Sequence, residues 1–411
     1  MAGHDIKTKG KMNKKSQVTM LMIVGIVLFI IVSFVLYLSK SAVKKQSQQS
    51  IKKTQETAID TKPIKEFINK CMDKLAKDAI VLLGKRGGYI YASQGGTLVD
   101  YSDTDEGLFF VKYNNLNVVY NILPPKFVST LYSSEIPDYP WPTFPYETAK
   151  SNAEIFDGFF GINNMPPLNS SEGPHSIQTQ MEAFIDNNIA SCADLSLFKS
   201  QGYETEMGSS KTQVTIGSGD IRVKSKIPIK ITSIATKEAT EINEFSSEIK
   251  INLRDTYFLM RNLIEKDIKN IKFNINDTAN SKGPIKIKLI EDIYSKDDLI
   301  IVTNEESLIY GKPFDYIFAR RNRAPALYYT RTNVISFPNG YLINESDLLQ
   351  NKPLRAEDPD EDNMIFNIYI GEFGKTQAVF PKKMDVPQLK FRVEVSDGQL
   401  RDYQVITANR I

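Results

Sequence analysis

The chain has 411 residues, 41% of them apolar and 24% charged, with a net charge of +2. That balance belongs to folded protein, and the length asks for two or three modules beyond any anchor. It excludes a nucleic-acid binder, because the basic residues crowd one short apolar stretch instead of spreading over a folded face.

That stretch is Val18–Leu38, VTMLMIVGIVLFIIVSFVLYL, an uncharged run of about 21 residues. At ~1.5 Å of rise per residue, such a helix crosses the ~30 Å hydrocarbon core of a bilayer. Residues 17–39 are therefore expected to be a single transmembrane helix in contact with lipid. Lys7, Lys9, Lys11, Lys14 and Lys15 precede it, against Lys40, Lys44 and Lys45 directly after it. The excess leaves the basic tail, residues 1–16, in the cytoplasm and sends the remainder outside the cell. The run is too long for the core of a cleaved secretory signal, so retention at the cell membrane is expected.

The junction Lys14-Lys15-Ser16-Gln17 resembles the class III, prepilin-like signal of archaeal proteins. In that family a peptidase cuts before the Gln, which here implies cleavage between Ser16 and Gln17. Ser16 stands where the family has Gly, and Leu21 where it has Glu. An uncut anchor with a basic flank is the other reading of the same residues.

Residues 40–60 are polar and lack Gly and Pro, as a stalk would. From Thr61, apolar residues Ile64, Phe67, Ile68, Cys71, Leu75, Ala79 and Leu82 recur at helical spacing, with Thr61 as N-cap and Gly84 as the expected stop. Four strand-like runs follow, GYIYAS, TLVDY, GLFFVKY and LNVVYNIL, and predict an antiparallel sheet against that helix. A Pro-rich loop spans 124–175, carrying nine of the 19 prolines among Tyr132, Tyr139, Trp141, Phe144 and Tyr146. Its aromatics either pin the loop to its own domain or offer rigid surface to a glycan or peptide partner. A second helix is predicted over Ser176–Ser191 on Ile177, Met181, Phe184, Ile185 and Ile189, closed by Cys192. In an exported region the two cysteines, Cys71 and Cys192, point to a disulfide; two buried thiols and a metal pair are the alternatives.

Past Gly202 comes a meander, with GSGD at 217–220 as a hairpin turn. A helix runs from Leu253 through Tyr257, Met260, Ile264 and Ile268. Strands return in IKFNI, IKIKLIEDIY, DLIIVTN and FDYIFAR. Residues 61–201 and 202–322 read as α+β, in one lobe or two. RRNRAP, starting at Arg320, has the composition of a boundary. Residues 323–411 then show the short strands and turns of an antiparallel β-sandwich.

Within that last module, AEDPDEDNMIF and RVEVSDGQLRDYQVI resemble cadherin-like and immunoglobulin-type surface domains. In that family acidic side chains at one end of the domain hold Ca²⁺, and the resemblance implies Asp358, Asp360 and Asp362, with Asp397 of the SDG turn, as ligands. Glu361 stands where a Gly is common. A solvated acidic loop is the competing reading. The order of motifs from FINKC through KRGGYIY to FIDNN, with the NRAP junction, resembles a group of archaeal membrane-anchored surface proteins, which implies location and architecture only.

His4 and His175 are the two histidines, and no GxSxG, HExxH, Walker or GxGxxG pattern accompanies them. Asn169, Asn276 and Asn344 head Asn-x-Ser/Thr sequons and are candidate glycosylation sites. The expectation is thus a single-pass surface protein, not an enzyme, with a structural or adhesive role towards a surface protein or glycan. A self-associating, pilin-like subunit is the second hypothesis. The third is an exported enzyme without a recognisable motif.

Overall fold

The computed structural model describes residues 59–100, 109–124, 160–327, 334–351 and 353–411. The expected tail, membrane helix and Ser16/Gln17 junction lie outside the described residues, as do the stalk up to residue 58 and 125–159 of the Pro-rich stretch. Among the described residues no helix is long and apolar enough to cross a membrane.

Helix α1 (Lys62–Lys85) opens with Asp60 Oδ1 accepting the Lys62 N–H at 3.0 Å and a proline in its first turn, where no N–H is missed. Ile64, Ile68, Cys71, Met72, Leu75, Ala79 and Leu83 are buried, while Lys74–Asp78 and Lys77–Asp73 pair on the outer face. The helix passes the expected stop at Gly84 by one residue and ends in the turn GKRGG. Gly84 lies inside the helix because a neighbouring strand passes against it: a Cβ there would sit 2.4 Å from the Asp315 carbonyl oxygen. The chain turns instead at Gly87 and Gly88, which hold φ of 69° and 89°.

Helix α2 (Ile177–Cys192) begins where expected, the Ser176 hydroxyl accepting the Thr179 N–H at 3.1 Å. The Cys71–Cys192 disulfide joins α1 to its last residue across a Cα–Cα distance of 5.8 Å. Closing a loop with a sequence separation of 121 removes on the order of 4–5 kcal/mol of denatured-state freedom in the chain-entropy model.

Two sheets flank these helices. The first runs β1 (Phe110–Tyr113), β2 (Leu116–Leu123), β10 (Lys312–Arg320), β9 (Asp297–Ile309) and β8 (Ile285–Tyr294), with the short β3 (Ile162–Asn163) beside β2. Its pairs are antiparallel except β2 with β10. The second joins β4 (Tyr203–Met207), β5 (Lys211–Ile216) and β7 (Ala239–Lys250) to the long β6 (Asp220–Ser233), whose strict alternation buries Ile221, Val223, Ile227, Ile229 and Ile231 on one face. Helix α3 (Leu253–Lys269) completes the body, and one apolar cluster runs from Ile59 to Phe318.

Three expected strands are not strands: of TLVDY, residues 97–100 carry only an isolated bridge from Leu98 to Tyr91. GYIYAS folds into a 3-10 turn at Ala92–Gln94 closed by Gly95. IKFNI is a pair of turns, because Asn270 and Asn274 side chains capture the N–H groups of Lys272 and Asn276 that a ladder would need.

The C-terminal module holds the four-stranded sheet β12 (Val334–Phe337), β18 (Arg401–Arg410), β17 (Gln388–Ser396) and β15 (Ile365–Ile370). Two small pairs accompany it, β11 (Ala326–Leu327) with β14 (Ala356–Glu357) and β13 (Leu342–Ile343) with β16 (Lys382–Lys383). Phe391, Val393, Val395, Ile406 and Ala408 face its core. The expected all-antiparallel pattern fails at one edge, where β12 runs parallel to β18. The protein is α+β with a sheet-rich C-terminal region.

Candidate metal centre at the junction of the two modules

Strand β10 leaves the α+β body at Arg320, and the next residues carry charge into the interior. Arg320 is 3% exposed, Nη2 and Nε donating to Asp298 Oδ2 at 2.6 and 3.1 Å and Nη1 to Asp267 Oδ1 at 3.0 Å. Arg323 is wholly buried and donates to Asp360 Oδ1 from Nη2 at 2.7 Å and Nε at 3.0 Å, while its backbone N–H reaches Asp360 Oδ2 at 2.7 Å. Nη1 and Nη2 also donate to the carbonyls of Phe160 and Pro359. Burial alone would lower the Arg320 pKa, but Asp360, Asp267 and Asp298 outweigh it and hold the guanidinium above its usual value. These arginines tie α3 and β9 to the turn after β14, so the boundary composition read from RRNRAP conceals an ionic fastener.

A few residues away the balance reverses. The chain turns at Pro359–Asp360, and Asp358 Oδ1 accepts the N–H groups of Asp360 at 2.8 Å and Asp362 at 3.2 Å. Glu361 takes a positive φ of 66°. This local reversal brings Asp358 and Asp362 together with Asp397 of the β17–β18 turn, each offering an oxygen within 4.8 Å of the others. Asp360, expected beside them as a ligand, faces the arginines instead. Of the four expected ligands, the structure therefore assembles Asp358, Asp362 and Asp397.

Asp397 is already engaged: Oδ1 accepts the N–H groups of Gln399 and Leu400, both at 2.6 Å, and Oδ2 accepts Asn322 Nδ2 at 2.9 Å. Lys296 Nζ donates to Asp362 Oδ1 at 2.8 Å, and that bond raises the lysine pKa. Three buried oxygens of the pocket and its wall, Asp358 Oδ2, Asp362 Oδ2 and Asn322 Oδ1, have no hydrogen-bond partner. Burial, followed by the nearby Asp360 charge, pushes Asp358 up to about 8. Burial also raises Asp362, against the pull of Lys296. Asp298 rises to about 6 for the same first reason.

Orphaned buried oxygens are the chemistry a hard cation satisfies, since carboxylate and amide oxygens are its preferred donors. The donor set contains no sulfur or imidazole, which disfavours zinc and other soft-site metals. Among the described residues, Asp267, Asp297, Asp298, Asp358, Asp360, Asp362 and Asp397 around the junction meet only Arg320, Arg321, Arg323 and Lys296, a shortfall of positive charge concentrated at the Asp358 end.

Lys296 and Asn322 escaped the sequence reading. Lys296 is about 60 residues from the acidic loop, and Asn322 was absorbed into the boundary. The signal for the arginine side was the charge density of RRNR beside the strand-opening pair Asp297–Asp298, charges that a strand end packed on a domain must bury. The sequon residues Asn169, Asn276 and Asn344 are exposed. His175 is a surface residue 3.1 Å from the Thr97 hydroxyl.

No known family model matches the chain, and no curated protein matches it.

Proposed function

We propose that this protein is a single-pass, membrane-anchored surface protein in which an α+β body and a cadherin- or immunoglobulin-like C-terminal domain are fastened into one extracellular arm, with Ca²⁺ held by Asp358, Asp362 and Asp397. The role is structural or adhesive, presented towards a surface protein or glycan. The observation that carries the reading is the acidic pocket beside the buried arginine fastener: it puts oxygen donors where two modules meet. Cation binding there stiffens the arm, because the metal binds the folded junction and not the separated loops. The Cys71–Cys192 disulfide supports an oxidising compartment, and the Val18–Leu38 sequence supports the anchor.

Thermal unfolding of the full chain in detergent tests the metal reading. Ca²⁺ at millimolar concentration should raise the melting temperature over a chelator control, and identical curves would sink it. Protease added to intact cells tests the placement: a C-terminal epitope should be lost while an N-terminal one survives.

A pilin-like subunit is the second reading, favoured by Lys14-Lys15-Ser16-Gln17. A mature N-terminus at Gln17 in the mass spectrum would support it; an intact 1–16 segment would count against it.

A further inference from the structure

A lysine of one module reaches into the proposed cation pocket of the other. Lys296 lies in the two-residue turn between β8 and β9, where Tyr294 pairs with Asp297 and Ser295 holds a φ of 60°. Both turn residues grip the C-terminal module, Lys296 through Asp362 Oδ1 and Ser295 Oγ through Gln399 Nε2.

The fit is incomplete. Asp358 is 6% exposed, yet its Oδ2 has no partner, and neither does Asp362 Oδ2. An ammonium brings one charge and a few directional donors, whereas a divalent cation draws six or more oxygens around itself. The lysine also has a way out: its side chain is 22% exposed and that of Asp362 15%, so the pocket opens to solvent on this side. A four-carbon stem can swing the ammonium into water without moving the hairpin backbone.

We propose that Lys296 is a tethered cation that competes with a divalent metal for Asp358, Asp362 and Asp397, so that metal loading expels it and leaves the β8–β9 turn held to the C-terminal module by Ser295 and Gln399 alone. The inference rests on the metal reading above. In the metal-free state the ammonium clasps the modules at this point. In the metal-bound state that clasp opens, while the contacts of Arg320 and Arg323 stay closed.

Calorimetric titration of the full chain in detergent with CaCl₂ tests this in three versions: unchanged, Lys296→Met and Lys296→Arg. Competition predicts that Lys296→Met binds Ca²⁺ at least tenfold more tightly than the unchanged chain, while Lys296→Arg stays within about twofold of it. Equal affinities in all three would overturn the competition and leave the metal site standing. Absence of binding in all three would overturn the metal site, and the competition with it. A measurement free of substitution guards against a variant that fails to fold. Acetylation of Lys296 by a soluble acylating reagent, followed by peptide mass spectrometry, should be several-fold faster in Ca²⁺ than in chelator. An unchanged rate on a chain that binds Ca²⁺ refutes expulsion.

Discussion

The junction holds two clusters of buried aspartates only a few residues apart, and they have opposite electrostatic fates. On one side Asp267, Asp298 and Asp360 share two guanidiniums whose fixed forks supply several donors each. On the other, Asp358, Asp362 and Asp397 share one lysine, and oxygens are left over. The first cluster sets two guanidiniums against three carboxylates, each of them ion-paired, and so behaves as structure. The second is short of positive charge, so its state depends on what the solution supplies, proton or cation. One loop contributes to both because the turn at Pro359–Asp360 aims alternate aspartates to opposite sides.

The sharpest way to break this contrast is to remove one charge from each cluster. Arg323→Met leaves Asp360 and Asp267 buried with a reduced complement, a loss expected to cost about 3–5 kcal/mol in denaturant unfolding. Asp362→Asn, measured without metal, removes a carboxylate whose lysine partner is partly exposed, so a change within about 1 kcal/mol is expected. Similar losses in the two variants would erase the distinction. Asp360→Ala belongs with the arginine side: it should lower stability with or without Ca²⁺, whereas Asp362→Asn should abolish the Ca²⁺-dependent gain.

pH separates the clusters next. Asp358 titrates near about 8 in the fold against 3.8 ordinarily, so the folded state holds a proton that the unfolded chain gives up. Its favourable contribution is complete below about 3.8 and drains away as pH climbs to about 8, with Asp298 adding to the lower part of that window. In chelator, the full chain should therefore lose stability between these limits, at no more than ~1.4 kcal/mol per pH unit for one group. Asp358→Asn should flatten the slope. Saturating Ca²⁺ should oppose it, because the metal binds the ionised carboxylate.

Much of the fold was legible because local signals agreed with tertiary demand. The α2 span follows from Ser176 and the spacing of Ile177, Met181, Phe184 and Ile185, and the GSGD hairpin from its turn residues. The disulfide was legible because two cysteines in a region expected to be exported have few other uses. Gly84 misled because close packing and helix termination both select glycine, and only β10 distinguishes them. IKFNI misled because its alternation is apolar while Asn270 before it and Asn274 within it divert the backbone bonds. At the candidate metal centre, the resemblance to cadherin-like domains pointed to all three of the assembled carboxylates but not to their sorting. An extended DxDxD run would place Asp358, Asp360 and Asp362 on one face, and the turn that overrides this period lies in backbone dihedrals. Lys296 and the arginine partners join the site by strand pairing across the domain, which no local pattern reports.

The smallest expected effect concerns the residue that performs the sorting. Glu361 holds φ 66°, a conformation that a side chain pays for and glycine adopts freely. Its Oε2 accepts Asn274 Nδ2 at 3.0 Å, an exposed bond worth little in water. Glu361→Gly removes the backbone strain, loses that bond and gives the unfolded chain more freedom, three terms of opposite sign and each about 1 kcal/mol or less. Stability should change by less than about 1 kcal/mol, and Ca²⁺ affinity by less than about threefold, since the turn keeps its geometry. Glu361→Val, which adds a β-branch to the same dihedral, should instead weaken both clusters together, because Asp360 and Asp362 can no longer be held on opposite sides. Loss of metal affinity with undiminished stability in that variant would show that the sorting does not depend on this turn.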